Sequence, residues 1–125
     1  MNEKILLIED NDQNRVLMHQ ILAPHDYDLL EAMDGLTGIE MARVHMPALI
    51  LLDIQMPVMN GFMVIRELRN DVELKKIKVI AVTSFAMKGD RERALEAGFD
   101  EYVTKPIDTR KFPELVKQIL TGVQP

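Results

Sequence analysis

Three short, unbroken apolar runs constrain this chain most: Ile5-Leu6-Leu7-Ile8, Ala48-Leu49-Ile50-Leu51-Leu52 and Val79-Ile80-Ala81-Val82. A strand with no polar face must be covered on both sides, as happens inside a parallel sheet sandwiched between helices. Tyr27-Asp28-Leu29-Leu30-Glu31 and Glu101-Tyr102-Val103-Thr104 also read as strands, but they are more polar, as edge strands are.

Amphipathic stretches separate these runs. Leu17, Met18, Ile21 and Leu22 keep helical spacing after Asp12. A second helix is predicted from Asp34 as N-cap through Leu36, Ile39 and Ala42 to about His45, stopping before Pro47. A third covers residues 61–70, and a fourth covers 88–97 with Gly98 closing it. The last begins near Asp108 and reaches about Thr121; Pro113 in its first two turns makes it start late or bend. Five such units predict an α/β, doubly wound, five-stranded parallel sheet with helices on both faces. Right-handed crossovers with the polar strands outermost give the flavodoxin-like order 2-1-3-4-5. Strands 1 and 3 are then neighbours at the switch point, where such sheets bind their ligands.

The topology gathers chemistry at that edge. Glu9 and Asp10 follow the first strand and Asp53 follows the third, so three carboxylates converge although 43 positions separate Asp10 from Asp53. They repel one another unless protons or a cation neutralise them. A hard cation suits oxygen ligands, and Mg²⁺ suits a site with few carboxylates and several waters. The fourth strand ends at the hydroxyl of Thr83 and the fifth is followed by the ammonium of Lys105. A carboxylate nucleophile, a metal, a hydroxyl and an ammonium are the parts of phosphoryl transfer. Singly, each has a plainer reading. Glu9-Asp10-Asn11-Asp12 or Thr83-Ser84 can cap helices, and a lone lysine is usually solvated. Their placement at four strand ends on one edge favours the joint reading.

The 125 residues fit one domain, and 47% hydrophobic with 28% charged composition is that of a folded globule. With 20 acidic against 15 basic residues the net charge is −5, which argues against nucleic acid or an anionic membrane as partner. There is no cysteine, hence no disulfide or thiolate chemistry. No apolar run approaches a membrane span, and the N-terminal residues lack the layout of a signal peptide, so a cytoplasmic location is expected. The nine Met residues, Met56, Met59 and Met63 among them, read as core and loop filler. His19, His25 and His45 are scattered and are given no metal or phosphohistidine role, and Arg91-Glu92-Arg93 reads as a solvated helix face.

Asp53-Ile54-Gln55-Met56-Pro57-Val58-Met59-Asn60-Gly61 after an apolar strand resembles the phosphorylation motif of response-regulator receiver domains, the CheY-like superfamily. Ile8-Glu9-Asp10-Asn11, Val82-Thr83-Ser84 and Thr104-Lys105-Pro106 resemble the family's other motifs, in order and at family spacing across nearly the whole chain. The stretch from Phe85 to Arg93 is most similar to single-domain regulators of the DivK type, and receivers of hybrid histidine kinases carry comparable stretches. The resemblance implies that Asp53 is the phosphoacceptor and that Asp10 and Asp53 bind Mg²⁺ with the backbone carbonyl of Gln55, Glu9 acting directly or through water. It further implies that Thr83 hydrogen-bonds the phosphoryl group, that Lys105 pairs with it across a cis Lys105–Pro106 bond, and that Tyr102 is the switch aromatic. Gln55 and Phe85 take the positions flanking the hydrolytic water and would tune the phosphoryl lifetime. One departure is Glu9-Asp10, where many receivers carry two aspartates.

The expectation is a single receiver domain over residues 1–125 with no output domain, a non-enzymatic, monomeric phosphoacceptor. It would take its phosphoryl group from a histidine kinase or histidine phosphotransfer protein and signal to a downstream protein target. An excised receiver of a hybrid kinase is the first alternative. An Mg²⁺-dependent aspartyl-phosphate hydrolase is another, but such enzymes place an acid two residues after the nucleophile, where this chain has Gln55. Flavodoxin-like cofactor binding fails on charge, since Glu9-Asp10-Asn11-Asp12 would repel a flavin phosphate. A phosphorylation-independent scaffold fails because no motif residue is missing.

Overall fold

Successive side chains on a strand point to opposite faces, so a wholly apolar strand feeds two cores at once. The computed structural model, which describes residues 2–84 and 87–122, is built this way. Strands β1 (Lys4–Ile8), β2 (Asp28–Ala32), β3 (Leu49–Asp53), β4 (Lys78–Thr83) and β5 (Glu101–Thr104) form one parallel sheet in the order β2-β1-β3-β4-β5. Leu6, Ile8, Ile50, Leu52, Val79 and Ala81 pack on one face beneath α2 (Gly35–His45), α3 (Gly61–Asn70) and α4 (Asp90–Ala97). Ile5, Leu7, Leu49, Leu51, Ile80 and Val82 pack on the other beneath α1 (Asp12–Leu22) and α5 (Lys111–Thr121). Each fully buried Leu or Ile contributes about 1.5–3 kcal/mol, so the double layer is the main source of stability. The register pairs Ile8 with Leu52, Asp53 with Val82 and Thr83 with Thr104, which levels the carboxyl ends of the four strands that carry the site.

Side-chain caps set the helix starts. Asn11, Asp34 and Asn60 accept from the backbone N–H of Asn14, Thr37 and Met63. Two helices begin later than the sequence suggests. α4 starts at Asp90, not Lys88, because Gly89 is left-handed (φ 89°) and the Met87 N–H donates to Asp90 Oδ2, turning the chain first. Neither Thr83 nor Ser84 caps it. α5 starts at Lys111, since Asp108 Oδ1 accepts from both Arg110 and Lys111 N–H and holds a turn ahead of it. Pro113 then lies in the first turn, where its missing N–H costs nothing. A 3₁₀ turn at Ala23–His25, unforeseen in the sequence, leads into β2.

At Gly38 helix and sheet approach closely. A Cβ there would sit 2.4 Å from Ile8 Cδ1, with Ile8 wholly buried one residue before Glu9. Gly38→Ala gains about 1 kcal/mol of helix propensity but overpacks the core by about 1–3 kcal/mol. Net destabilisation is expected in chemical denaturation, and a stabilised variant would contradict this packing.

Candidate functional site

Backbone hydrogen bonds carry the sheet one step past its strand ends and fix the residues there. Glu9 N–H donates to Ala32 O at 3.0 Å, Ile54 N–H to Val82 O at 3.0 Å, and Lys105 N–H to Thr83 O at 2.7 Å. Gly61 lets the start of α3 lie against this edge; a Cβ there would stand 2.7 Å from Ile54 Cα and 3.0 Å from Asp53 O. Glu9, Asp10 and Asp53 converge as the topology predicts, each offering a carboxylate oxygen within 4.8 Å of the others. Glu9 and Asp53 are buried, while Asp10 is exposed.

Lys105 is the counter-charge. Its Nζ donates to Glu9 Oε1 at 2.8 Å and stands 3.7 Å from Asp53 Oδ2. One cation cannot balance three carboxylates. Burial, with the hydrogen bond and charge of Glu9 behind it, pushes the Asp53 carboxyl up to about 7, against the pull of the Gln55 N–H and Lys105. Burial acts to raise Glu9 too, but hydrogen bonds with Asp53 and Lys105 and the Lys105 charge outweigh it, so its carboxyl lies below the ordinary value. The pair thus favours a shared proton, held more readily by Asp53 than by Glu9. A crevice in which a proton relieves the repulsion among three carboxylates, each offering an oxygen ligand, fits a hard divalent cation in the proton's place.

The remaining expected residues lie around this cluster. Gln55 N–H donates to Asp53 Oδ1 at 3.0 Å, and its side-chain oxygen accepts from Ser84 N–H at 3.1 Å, tying the β3 exit to the β4 exit. Thr83 is buried, the Lys105–Pro106 bond is cis, and Thr83, Gln55, Phe62, Met87, Arg93 and Tyr102 share a cavity of about 500 Å³ beside the cluster. Phe85, assigned to lifetime tuning, lies outside the described residues.

Two residues escaped the sequence reading. Arg15 on α1 is buried and donates to the Glu9 carbonyl; its signal was a charge on the same inward face as Met18, Ile21 and Leu22. Arg69 on α3 forks to the carbonyls of Gly98, Lys75 and Ile77 and to Asp100, bracing the opposite edge of the sheet. His19, read as isolated, pairs with Glu31 at 2.7 Å, and His25 stacks on Tyr27.

The sequence matches the family model for the response regulator receiver domain over residues 5–117. This chain belongs to the receiver domain family. The receiver is 41% identical over 120 residues to the polar-differentiation response regulator DivK of Brucella ovis, an alignment covering 96% of this chain and 98% of the relative. Its fold is similar to the signal receiver domain of a signal transduction histidine kinase from Syntrophus aciditrophicus, with TM-score 0.87, 30% identity, and coverage of 98% of this chain and 92% of that one. It is likewise similar to the receiver domain of a sensor histidine kinase from Pseudomonas aeruginosa, with TM-score 0.88, 29% identity, and coverage of 97% and 99%. That structure is described as having a magnesium ion coordinated in its active site cleft. The family and these relatives make this chain a response regulator of two-component signalling. No helix among the described residues is long and apolar enough to cross a membrane.

Proposed function

We propose that this receiver is a stand-alone, monomeric, cytoplasmic phosphoacceptor, spanning residues 1–125 as one domain, that takes a phosphoryl group from phosphohistidine onto Asp53. The convergence of Glu9, Asp10 and Asp53 beside Lys105 and Thr83 carries this reading. Asp10 and Asp53 would hold Mg²⁺, with the Gln55 carbonyl and with Glu9 directly or through water, and the ion would neutralise charge on the phosphoryl oxygens. An Asp53 carboxylate oxygen supplies the electron pair of the new O–P bond. The N–P bond to the donor histidine breaks, and the departing imidazole keeps its electrons. Lys105 exchanges a carboxylate partner for a phosphoryl oxygen, and the Thr83 hydroxyl donates to another. Since Lys105 N–H is bonded to Thr83 O, a shift of either is felt by the other strand exit, with Tyr102 beside the shared cavity. Output follows as contact with a downstream protein.

Asp53 must lose its proton to bind the ion, so Mg²⁺ binding is linked to pH. Apparent affinity should rise up to ~tenfold per pH unit below about 7 and level off above, with one proton released per ion in the acid range. Calorimetric titration in buffers of different ionisation enthalpy reads this directly. Affinity independent of pH from about 5.5 to 8.5 would contradict the shared proton.

Profiling transfer from a panel of purified, phosphorylated histidine kinases and phosphotransfer proteins tests the function. One or a few donors should load the chain in preference to the rest. Loading by none, with steady release of free phosphate from small phosphate esters, would favour a hydrolase. The position two after Asp53 argues against that outcome, since the Gln55 oxygen is engaged by Ser84 N–H and no acid stands there.

A further inference from the structure

Arg15 is only 8% exposed and lies outside the carboxylate cluster. A guanidinium stays charged in a protein, so its burial requires partners in several directions at once. Arg15 has three. Nη1 donates to the Glu9 carbonyl at 2.7 Å, Nη2 bonds the Asp12 carboxylate, and Nε stands 3.1 Å from Glu31 Oε1 on the neighbouring strand. The other Glu31 oxygen meets His19 Nε2 at 2.7 Å, which fixes that carboxylate in turn.

The contact with Glu9 has a consequence for the cluster. The carbonyl that Arg15 holds belongs to the peptide joining Glu9 to Asp10, two of the three carboxylates. A peptide unit is planar, so holding its oxygen limits rotation of the whole unit. Glu9 N–H is already held by Ala32 O at 3.0 Å. Together the two bonds hold the peptides on both sides of the Glu9 Cα, which sets the direction in which the Glu9 side chain leaves the backbone and places the Asp10 Cα. We propose that Arg15 is a positioning residue for the divalent-cation site, clamping the Glu9–Asp10 peptide so that the carboxylates keep the spacing of a small cation. This rests on the cation-site reading above. Its particular consequence is selectivity: Mg²⁺ demands near-octahedral geometry at short distances, whereas Ca²⁺ accepts irregular, longer coordination. Loosening the peptide should therefore weaken Mg²⁺ more than Ca²⁺.

Charge alone predicts the opposite. Removing a cation beside three carboxylates should strengthen the binding of any dication. Mg²⁺ and Ca²⁺ affinities of the whole chain, measured by calorimetric titration, separate the cases. Arg15→Met should lose about 10–100-fold in Mg²⁺ affinity, the range found when groups supporting metal ligands are removed, with a smaller loss for Ca²⁺. Arg15→Lys, which keeps the charge but not the fork, should fall between that variant and the wild type. Unchanged or tighter Mg²⁺ binding in folded Arg15→Met, or equal losses for both ions, would overturn the inference. Should Arg15→Met fail to fold, Glu31→Ala at a half-exposed side chain decides. It removes the Nε partner and should shift the Mg²⁺/Ca²⁺ ratio the same way by less than Arg15→Met does, and an unchanged ratio overturns the proposal. A wild-type chain that binds no Mg²⁺ would sink the cation reading and this inference together, whereas wild-type binding with indifferent variants would sink the inference alone.

Discussion

Asp53→Asn is expected to abolish phosphoryl loading and, in the same stroke, to make the metal-free protein more stable. The first effect is all or none, since an amide oxygen cannot form the acyl phosphate. The second follows from the buried proton. Asp53 titrates near 7 in the folded chain against 3.8 for the unperturbed group. Between those values the folded state holds a proton that the unfolded state has released, so stability falls as pH rises through that window and the full penalty applies above about 7. At about 1.4 kcal/mol per pH unit the shift corresponds to at most on the order of 4 kcal/mol. The amide carries no charge and donates to Glu9 as the protonated acid does. Denaturation at about pH 8 without metal should therefore show Asp53→Asn stabilised by a few kcal/mol, with the gain fading toward pH 4. Glu9 acts in the opposite sense: its lowered value adds stability above its ordinary 4.5 that is lost as pH falls through the lower folded value. Its window lies below most of that of Asp53 and leaves the comparison clear. Equal stability of variant and wild type at alkaline pH would remove the repulsion from the account.

Lys105→Ala should have the second largest effect, divided between metal binding and signalling. In the resting chain the ammonium answers Glu9 at 2.8 Å and Asp53 at 3.7 Å. Its loss leaves the carboxylates facing each other, so the metal-free protein should lose roughly 1–3 kcal/mol, the cost of stranding a buried charged hydrogen-bond partner. Mg²⁺ affinity should be kept or improved, because a competing cation has gone. The response to a phosphoryl mimic such as beryllofluoride should be blunted, since Lys105 bridges that group to the β5 exit through its own backbone bond to Thr83. Amide chemical shifts around Tyr102 give the reading. A full wild-type response in the variant would place the coupling elsewhere.

The fold was legible because β1, β3 and β4 are apolar on both faces, a pattern that few architectures satisfy. From that, the sheet order placed Glu9, Asp10, Asp53, Thr83 and Lys105 on one edge, and the structure brings the three carboxylates and the lysine together. The resting pairings were less legible. Lys105 finds Glu9 across 96 positions, a pairing that no motif encodes. The Gln55 side-chain oxygen meets Ser84 N–H, a contact that depends on how two loops approach and that no motif reveals. Arg15 went unread because a long charged side chain on an amphipathic helix is ordinarily taken for solvent-facing. The Glu9 carbonyl, Asp12 and Glu31 together satisfy it in its buried position. The late start of α5 turns on Asp108 satisfying two backbone donors before Lys111, a local competition that Pro113 signalled only as an ambiguity.

One carboxylate, Asp53, is expected to receive the phosphoryl group, in a cation-dependent site. The direct measurement is to load the chain with acetyl phosphate and Mg²⁺, reduce the acyl phosphate with borohydride, and locate the resulting homoserine by peptide mass spectrometry. The expected result is a single phosphoryl group per chain, reduction at position 53 alone, and no product when Mg²⁺ is chelated. Reduction at Asp10 or Glu9, or undiminished loading without the metal, would contradict it.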